Sequence, residues 1–507
     1  MHIPSMWLAA AVGTWIGFAP LVVAGEAEPA PVVTRHQIQV GGKTLNYTAE
    51  AGRIAIRDVQ TGEPHAYMFY TAYRLVSRGK PRPVTFLWGG GPGGASAVMD
   101  FTLAGPLRAD IFVGRGDRLI DNQYTWLTNT DLVFVDEVGT GFSRPTSGAY
   151  MKEFNGTIGD TNSFAELIRC WRIQHDAEDT PVFVGGGSWG APRAATVGYA
   201  LLKRGIPVHG TVMISGETSL NKPYISPLLF EGLRVVGMAE IGFHYGKLAP
   251  ELGNDFPHIA AEADAWVRNT YVPALQRVSS LTPPERSQIA ASLARFTGIP
   301  AAAIDHQTLQ ITPKQFREGL LRDESKTLIG VDLRFSEPLE HFKWPLAAQR
   351  YLKYQMAYRS DLPYVMGPDD IQQGFAPFGN YPVPAGQDWD FATSPVPPEK
   401  AAALAQAAEE RGAGPPTIGE PLPATEEAID LNPRMKVLVI IARYDGESTC
   451  ASNAELQRNL PEKLQRAMIF KCYDSGHTVW RTPGVLSRLK EDVVAMMGVA
   501  DYATVPE

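Results

Sequence analysis

Ser188 stands between Gly186 and Gly190 in the stretch VFVGGGSWGA, a G-x-S-x-G arrangement that follows an apolar β-branched run and precedes the small-residue run APRAATVGYALLK. Strand, sharp turn and helix form the context in which such a serine is held exposed as a nucleophile. The same residues are compatible with a glycine-rich turn whose serine caps the helix, so the reading depends on partners elsewhere. A serine hydroxyl needs a base, and the base needs an orienting acid. His477 follows Gly476 just after the run MIFKCY, and Asp445 follows KVLVIIA and precedes Gly446. Both sit where a strand hands over to a loop. Asp474 is a rival acid three residues before His477, while Asp136 ends a strand but precedes the serine. Backbone donors for a developing oxyanion are available from Trp189, directly after the serine, and from the loop Gly89-Gly90-Gly91-Pro92-Gly93-Gly94.

The elements that must hold these residues follow from periodicity. Residues 35–76 alternate apolar and polar, with breaks at Gly41-Gly42 and Ala51-Gly52, and predict antiparallel strands at a sheet edge. Buried strands are expected at Val84–Trp88, Leu132–Asp136, Val182–Val184, Thr211–Ile214, Val437–Ala442 and Met468–Cys472, with helices or loops between them. That alternation predicts a mixed, mostly parallel sheet with helices on both faces. The core is expected over residues 35–218 and 346–507. Residues 219–345 read as a helical lid inserted into it.

Within the lid, Leu281–Gly298 carries an N-cap at Thr282, a proline at Pro283 and Glu285 to complete a capping box. Phe256–Val278 has helical spacing with a kink expected at Pro273, and Thr312-Pro313 opens a further helix through Leu321. Ser394–Pro423, rich in Pro, Ala and Gly, reads as a surface excursion.

The 507 residues are 44% hydrophobic and 20% charged, with net charge −8, and contain no basic run, which argues against nucleic acid as partner. Both glycine clusters fit a dinucleotide loop (Gly89, Gly91, Gly94 and Gly185, Gly187, Gly190). Neither is followed by an acid placed to hold a ribose, and Pro92 interrupts the first, so no cofactor and no metal are expected. Residues 1–27 read as a signal peptide and 28–34 as a leader, giving a periplasmic or secreted protein without stable membrane insertion; an uncleaved anchor is the alternative. Cys450 and Cys472 lie just behind the segments carrying Asp445 and His477, and form a candidate disulfide in an exported chain.

FLWGGGPGGAS, LVFVDEVGTGFS, VGGGSWGAPR, ARYDGES and SGHTVW, in this order, resemble the blocks of the serine carboxypeptidase-like proteins, peptidase family S10. The resemblance spans about Tyr67 to His477. It implies the α/β-hydrolase fold, Ser188 as nucleophile, Asp445 as acid, His477 as base, and Gly91 and Trp189 as oxyanion donors. A peptide, or a small ester or amide, is the implied substrate. Three departures concern the site that grips a free C-terminal carboxylate in that family. Gly89 replaces an Asn, Gly187 replaces a Glu, and Leu103 falls where many eukaryotic members carry another Glu; Gly90 keeps its backbone N–H. Glu137 stands where a Pro is usual. Blocked peptides, esters or an acyl transfer are therefore expected alternatives to exopeptidase action, as is a carboxylate clamp rebuilt from Arg193 or the lid. Gly89→Asn with Gly187→Glu is expected to shift preference toward free acids, provided the elbow tolerates the larger side chain.

Overall fold

The computed structural model describes residues 30–76, 82–110, 118–220, 224–336, 344–367, 386, 389–393, 422–446, 449–482 and 484–499. The signal-peptide reading and residues 394–421 of the expected surface excursion lie outside these.

The sheet begins with β1 (Val32–Val40), β2 (Lys43–Arg57) and β3 (Pro64–Leu75), all antiparallel. Pairing starts at Val32, inside the stretch read as leader. The first turn falls at Gly41-Gly42, both with positive φ (55° and 75°), as a two-residue hairpin requires. No break occurs at Ala51-Gly52. There β2 continues, Gly52 opposite Tyr70, and a Cβ on Gly52 would lie 2.9 Å from Pro31. This glycine serves close chain approach, and the second turn comes at 58–63.

Next come β4 (Val84–Trp88), β5 (Asp131–Val135), α1 (Thr157–Gln174), β6 (Val182–Gly187), α2 (Gly190–Lys203) and β7 (Val208–Ile214). After the insertion follow β8 (Lys436–Ala442) and β9 (Met468–Tyr473). Strand order is β1-β2-β3-β5-β4-β6-β7-β8-β9, with Arg144–Pro145 as a short tenth strand against β3. From β5 to β9 the strands are parallel.

Side chains alternate between the two faces as the pleat demands. Val182, Val184, Val437 and Val439 enter the core on the side of α1 and α2. Phe183, Leu438 and Ile440 enter the core on the opposite face. Both faces are thus covered, which is why the central strands read as unbroken apolar runs. β5 and β6 flank β4 on opposite sides, so the loops leaving β4 and β6 open toward each other at the carboxyl ends of the strands.

Between β7 and β8 the described residues 224–336 are largely helical and hold their own apolar cluster, including Leu233, Ile259, Leu293 and Phe316. They contain α3 (Pro227–His244), α4 (Phe256–Trp266), α5 (Pro283–Thr297) and α6 (Pro313–Gly319). Reciprocal Thr282–Glu285 hydrogen bonds open α5, and Gly298 closes it at φ 76°. Such an N-cap contributes about 1 kcal/mol. At the expected kink the helix widens into a π turn over Val267–Tyr271 just ahead of Pro273, accommodating a residue without an N–H.

Two buried carboxyls lie on the second core face. Burial pushes Asp100 up to about 8, although the Tyr73 and Thr71 hydroxyls donate to it. Burial likewise raises Asp136 to about 6 against its bonds from Ser96 and Tyr364. The folded protein therefore keeps protons that an unfolded chain loses near the ordinary value of 3.8. Stability from these groups is complete below that pH and is lost as pH rises through about 6 and about 8. We expect the melting temperature to fall between about pH 5 and pH 9 and Asp100→Asn to flatten the upper part of that fall. Thermal melts across this range check it; an unchanged slope in the variant would contradict the assignment to Asp100.

Candidate active site

Ser188 follows β6 directly and adopts φ 55°, a left-handed conformation costing a non-glycine residue about 1–3 kcal/mol. Its N–H donates to Ile214 O of β7 at 2.8 Å, and its own carbonyl accepts from Ala191 N at 2.9 Å as α2 begins. The turn is tight enough that a Cβ on Gly186 would lie 2.5 Å from Gly190 O, and one on Gly190 2.6 Å from Gly89 O. Hence the flanking positions are glycine.

Asp445 lies three residues beyond β8 and His477 four beyond β9, so adjacent parallel strands deliver them to the same edge as Ser188. His477 Nδ1 and Asp445 Oδ2 are 2.8 Å apart, with the Asp445 side chain 1% exposed and that of His477 16%. With Asp445 ionised, Nδ1 donates and the ring lone pair resides on Nε2. The rival acid Asp474 is engaged elsewhere: Arg443 Nε donates to its Oδ1 at 2.5 Å, and the same guanidinium pairs with Glu240 of α3.

A segment that sequence reasoning did not single out ties these two loops together. Gly446 N donates to Gly330 O (3.2 Å), Leu333 N to Tyr444 O (3.0 Å) and His477 N to Val331 O (2.7 Å). The end of the helical insertion is thus threaded between the acid and base loops. Arg334 fastens it further, binding Asp332 Oδ2 at 2.6 Å and Thr482 Oγ1 at 3.0 Å. Backbone contacts of this kind leave no side-chain pattern in the sequence. Behind the same loops, Cys450, which opens α7 (Cys450–Asn459), is disulfide-bonded to Cys472 of β9 with Cα atoms 5.8 Å apart.

The glycine loop after β4 packs against the serine. A Cβ on Gly90 would be 2.7 Å from Ser188 Cβ and 3.1 Å from Trp189 N. Gly91 has φ 118°, and Gly94 N closes the turn onto Gly90 O at 2.9 Å. Arg193 is not available to a substrate carboxylate. Its side chain is fully buried, bound to Asp160, Glu137 and, through Nη1 at 3.0 Å, to Gly89 O. Asp136 braces the loop's far end, accepting from Ser96 N at 2.8 Å.

Gly89, Gly187 and Leu103, the positions at which the resemblance implies departures, lie in close-packed surroundings. A Cβ on Gly89 would lie 2.6 Å from Ala95 O, so an Asn does not fit without moving backbone. Beside Gly187 stand Trp480 Cη2 at 3.2 Å and Met99 Sδ at 3.6 Å from where a Cβ would be. Leu103 is buried in the core. An Asn at position 89 therefore requires a backbone shift, while a Glu at position 187 requires Trp480 to give by a few tenths of an ångström.

A crossed parallel sheet with an antiparallel edge and a serine at the turn after a central strand defines an α/β-hydrolase fold. Residues 43–205 match the family model for serine carboxypeptidases, peptidase family S10. Over 144 residues the chain is 30% identical to serine carboxypeptidase-like 50 of Arabidopsis thaliana, covering 28% of this chain and 32% of that protein. Over 160 residues it is 26% identical to the pheromone-processing carboxypeptidase KEX1 of Fusarium vanettenii, covering 31% of this chain and 24% of that one. These alignments span about a third and a quarter of the relatives' lengths. The solved structure of a prohormone-processing carboxypeptidase from Saccharomyces cerevisiae aligns with 88% of this chain and 91% of its own, at 13% identity and TM-score 0.45. The family match is confined to residues 43–205, which include Ser188 and end before Asp445 and His477.

Proposed function

We propose that the chain is an exported serine hydrolase that works through an acyl-enzyme, with C-terminal peptide bonds as its lead substrates. The observation carrying this reading is the His477–Asp445 hydrogen bond of 2.8 Å at the sheet edge that also presents the strained Ser188. Ser188 Oγ attacks the carbonyl carbon while His477 Nε2 takes its proton, and Asp445 stabilises the imidazolium. The N–H groups of Gly91 and Trp189 receive the oxyanion. The intermediate collapses, the leaving group departs with the proton from His477, and water repeats the sequence on the acyl-serine.

A second reading, an esterase or acyltransferase on the same machinery, is favoured by one observation. Gly187 carries no side chain to donate to a carboxylate, and the atoms nearest to where its Cβ would be are apolar, Trp480 Cη2 at 3.2 Å and Met99 Sδ at 3.6 Å. Both readings share the acyl-enzyme. With an activated aryl ester, rapid mixing is expected to release a burst of about one leaving group per chain before the steady state. Hydrolysis with neither a burst nor an acyl adduct on Ser188 in the acid-quenched enzyme would contradict covalent catalysis, and no turnover of any ester or peptide would favour a binding protein.

A further inference from the structure

We propose that Glu137, Arg193 and Asp160 act as one buried positioning unit that sets the glycine-loop oxyanion donor against Ser188. The proposal rests on the acyl-enzyme reading above.

The three residues come from separate elements. Arg193 lies on the first turn of α2, five residues after Ser188; Asp160 lies on the first turn of α1; Glu137 follows β5. Their side chains are 0%, 3% and 2% exposed, so the cluster has no direct access to substrate. Arg193 Nε donates to Asp160 Oδ2 at 2.5 Å, Nη2 pairs with Glu137 Oε2, and the guanidinium lies 4.9 Å over the Phe164 ring.

What distinguishes the cluster is where its remaining bonds go. Arg193 Nη1 donates to Gly89 O at 3.0 Å, and Glu137 Oε2 accepts from Gly93 N at 3.1 Å. These are the two ends of the segment that carries Gly90 and Gly91. Gly90 in turn lies against Ser188 and Trp189 N. The helix that starts at the nucleophile therefore reaches through one guanidinium to both ends of the opposing loop. Sliding the loop relative to the serine would break charged hydrogen bonds at either end.

Stability alone is a poor reason for this arrangement. Burying an ion costs several kcal/mol after relaxation, and apolar replacements of buried ion clusters are often neutral or stabilising. Here two carboxylates share one guanidinium, and Glu137 Oε1 and Asp160 Oδ1 have no hydrogen-bond partner among the described residues. Removing the charge of Glu137 leaves a neutral Arg193–Asp160 pair. Glu137→Gln and Glu137→Met remove the same charge, but only Gln keeps the acceptor that holds Gly93 N–H, so the comparison at this residue isolates loop placement from charge. Misplacing one oxyanion donor costs about 10²-fold or more in kcat.

The test uses the full chain and an activated ester, with melting temperatures measured beside kcat and KM. Glu137→Gln keeps an acceptor for Gly93 N–H and Arg193 and is expected to retain kcat within about fivefold; Glu137→Met keeps the bulk without the acceptor and is expected to lose about 10²-fold in kcat, with KM within about twofold. Glu137→Gln is expected to melt like the native chain; Glu137→Met leaves Gly93 N–H and one Arg193 N–H without their acceptor and is expected to melt lower, so kcat is compared at temperatures where both variants are fully folded. If Glu137→Met does not fold, Arg193→Lys replaces it. That variant keeps the charge but cannot bridge Asp160, Glu137 and Gly89 O together, and the same kcat loss is expected. A folded Glu137→Met or Arg193→Lys with native kcat, a loss confined to KM, or equal losses for Gln and Met at position 137 would overturn the proposal. Ser188→Ala is assayed in parallel. If it is inactive while Glu137→Met is unimpaired, the positioning unit fails alone; if it stays active, the acyl-enzyme reading fails and the unit with it.

Discussion

Ser188→Ala is expected to reduce hydrolysis by about 10⁴-fold or more, and adding His477→Ala to that variant is expected to cost little further. The reason is geometric. With the nucleophile gone there is no Oγ proton for His477 to accept, so its pairing with Asp445 at 2.8 Å has nothing left to act upon. Asp445→Asn is expected to fall short of the serine variant while still losing several powers of ten, because an Asn side chain imposes the wrong tautomer on the ring. Steady-state assays of the single and double variants check this non-additivity. A large extra loss for His477→Ala in the Ser188→Ala background would place His477 in a task outside the proposed triad.

The second large effect concerns the substrate's end. Charge-assisted hydrogen bonds contribute about 1.5–3 kcal/mol each, so a site lacking two of them loses discrimination of roughly a hundredfold or more. Glycine at positions 89 and 187 supplies no such side-chain donors, and Trp480 and Met99 line the space beside Gly187 with apolar surface. A peptide amide and its free acid are therefore expected to differ by less than about tenfold in kcat/KM. Gly187→Glu alone is expected to misfit against Trp480, whereas Gly187→Glu with Trp480→Ala opens room for the new side chain. That double variant is expected to shift preference toward the free acid. Native preference for the free acid by several powers of ten would mean that other residues grip the carboxylate. Arg193, buried and bound to Glu137 and Asp160, is not one of them.

Much of this site was legible because its chemistry coincides with local pattern. The apolar run 182–184 and the glycines around Ser188 announce a strand and a tight turn, and the structure places that serine at φ 55° directly after β6. Asp445 and His477 stood out because each follows an apolar run that forms a strand, and the parallel pairing of β8 with β9 brings them together, although β9 is a half-buried edge strand and not the buried one expected. Thr282, Pro283 and Glu285 marked a helix start through bonds that span three residues. What was not legible depends on contacts distant in sequence. Gly52 looked like a turn until Pro31 was seen against it. Arg193 looked like a free cation, because nothing nearby in sequence reveals that Asp160 and Glu137 converge on it. Gly330–Leu333 holds the acid and base loops by backbone bonds, which any sequence can make.

The central claim is that Ser188 forms the covalent intermediate. The most direct measurement is treatment of the native chain with a fluorophosphonate, followed by peptide mapping of the adduct. One phosphonyl group on Ser188, with labelling lost in Ser188→Ala and strongly slowed in His477→Ala, is the predicted result. Label on another serine, or undiminished labelling of the Ser188→Ala protein, would contradict it.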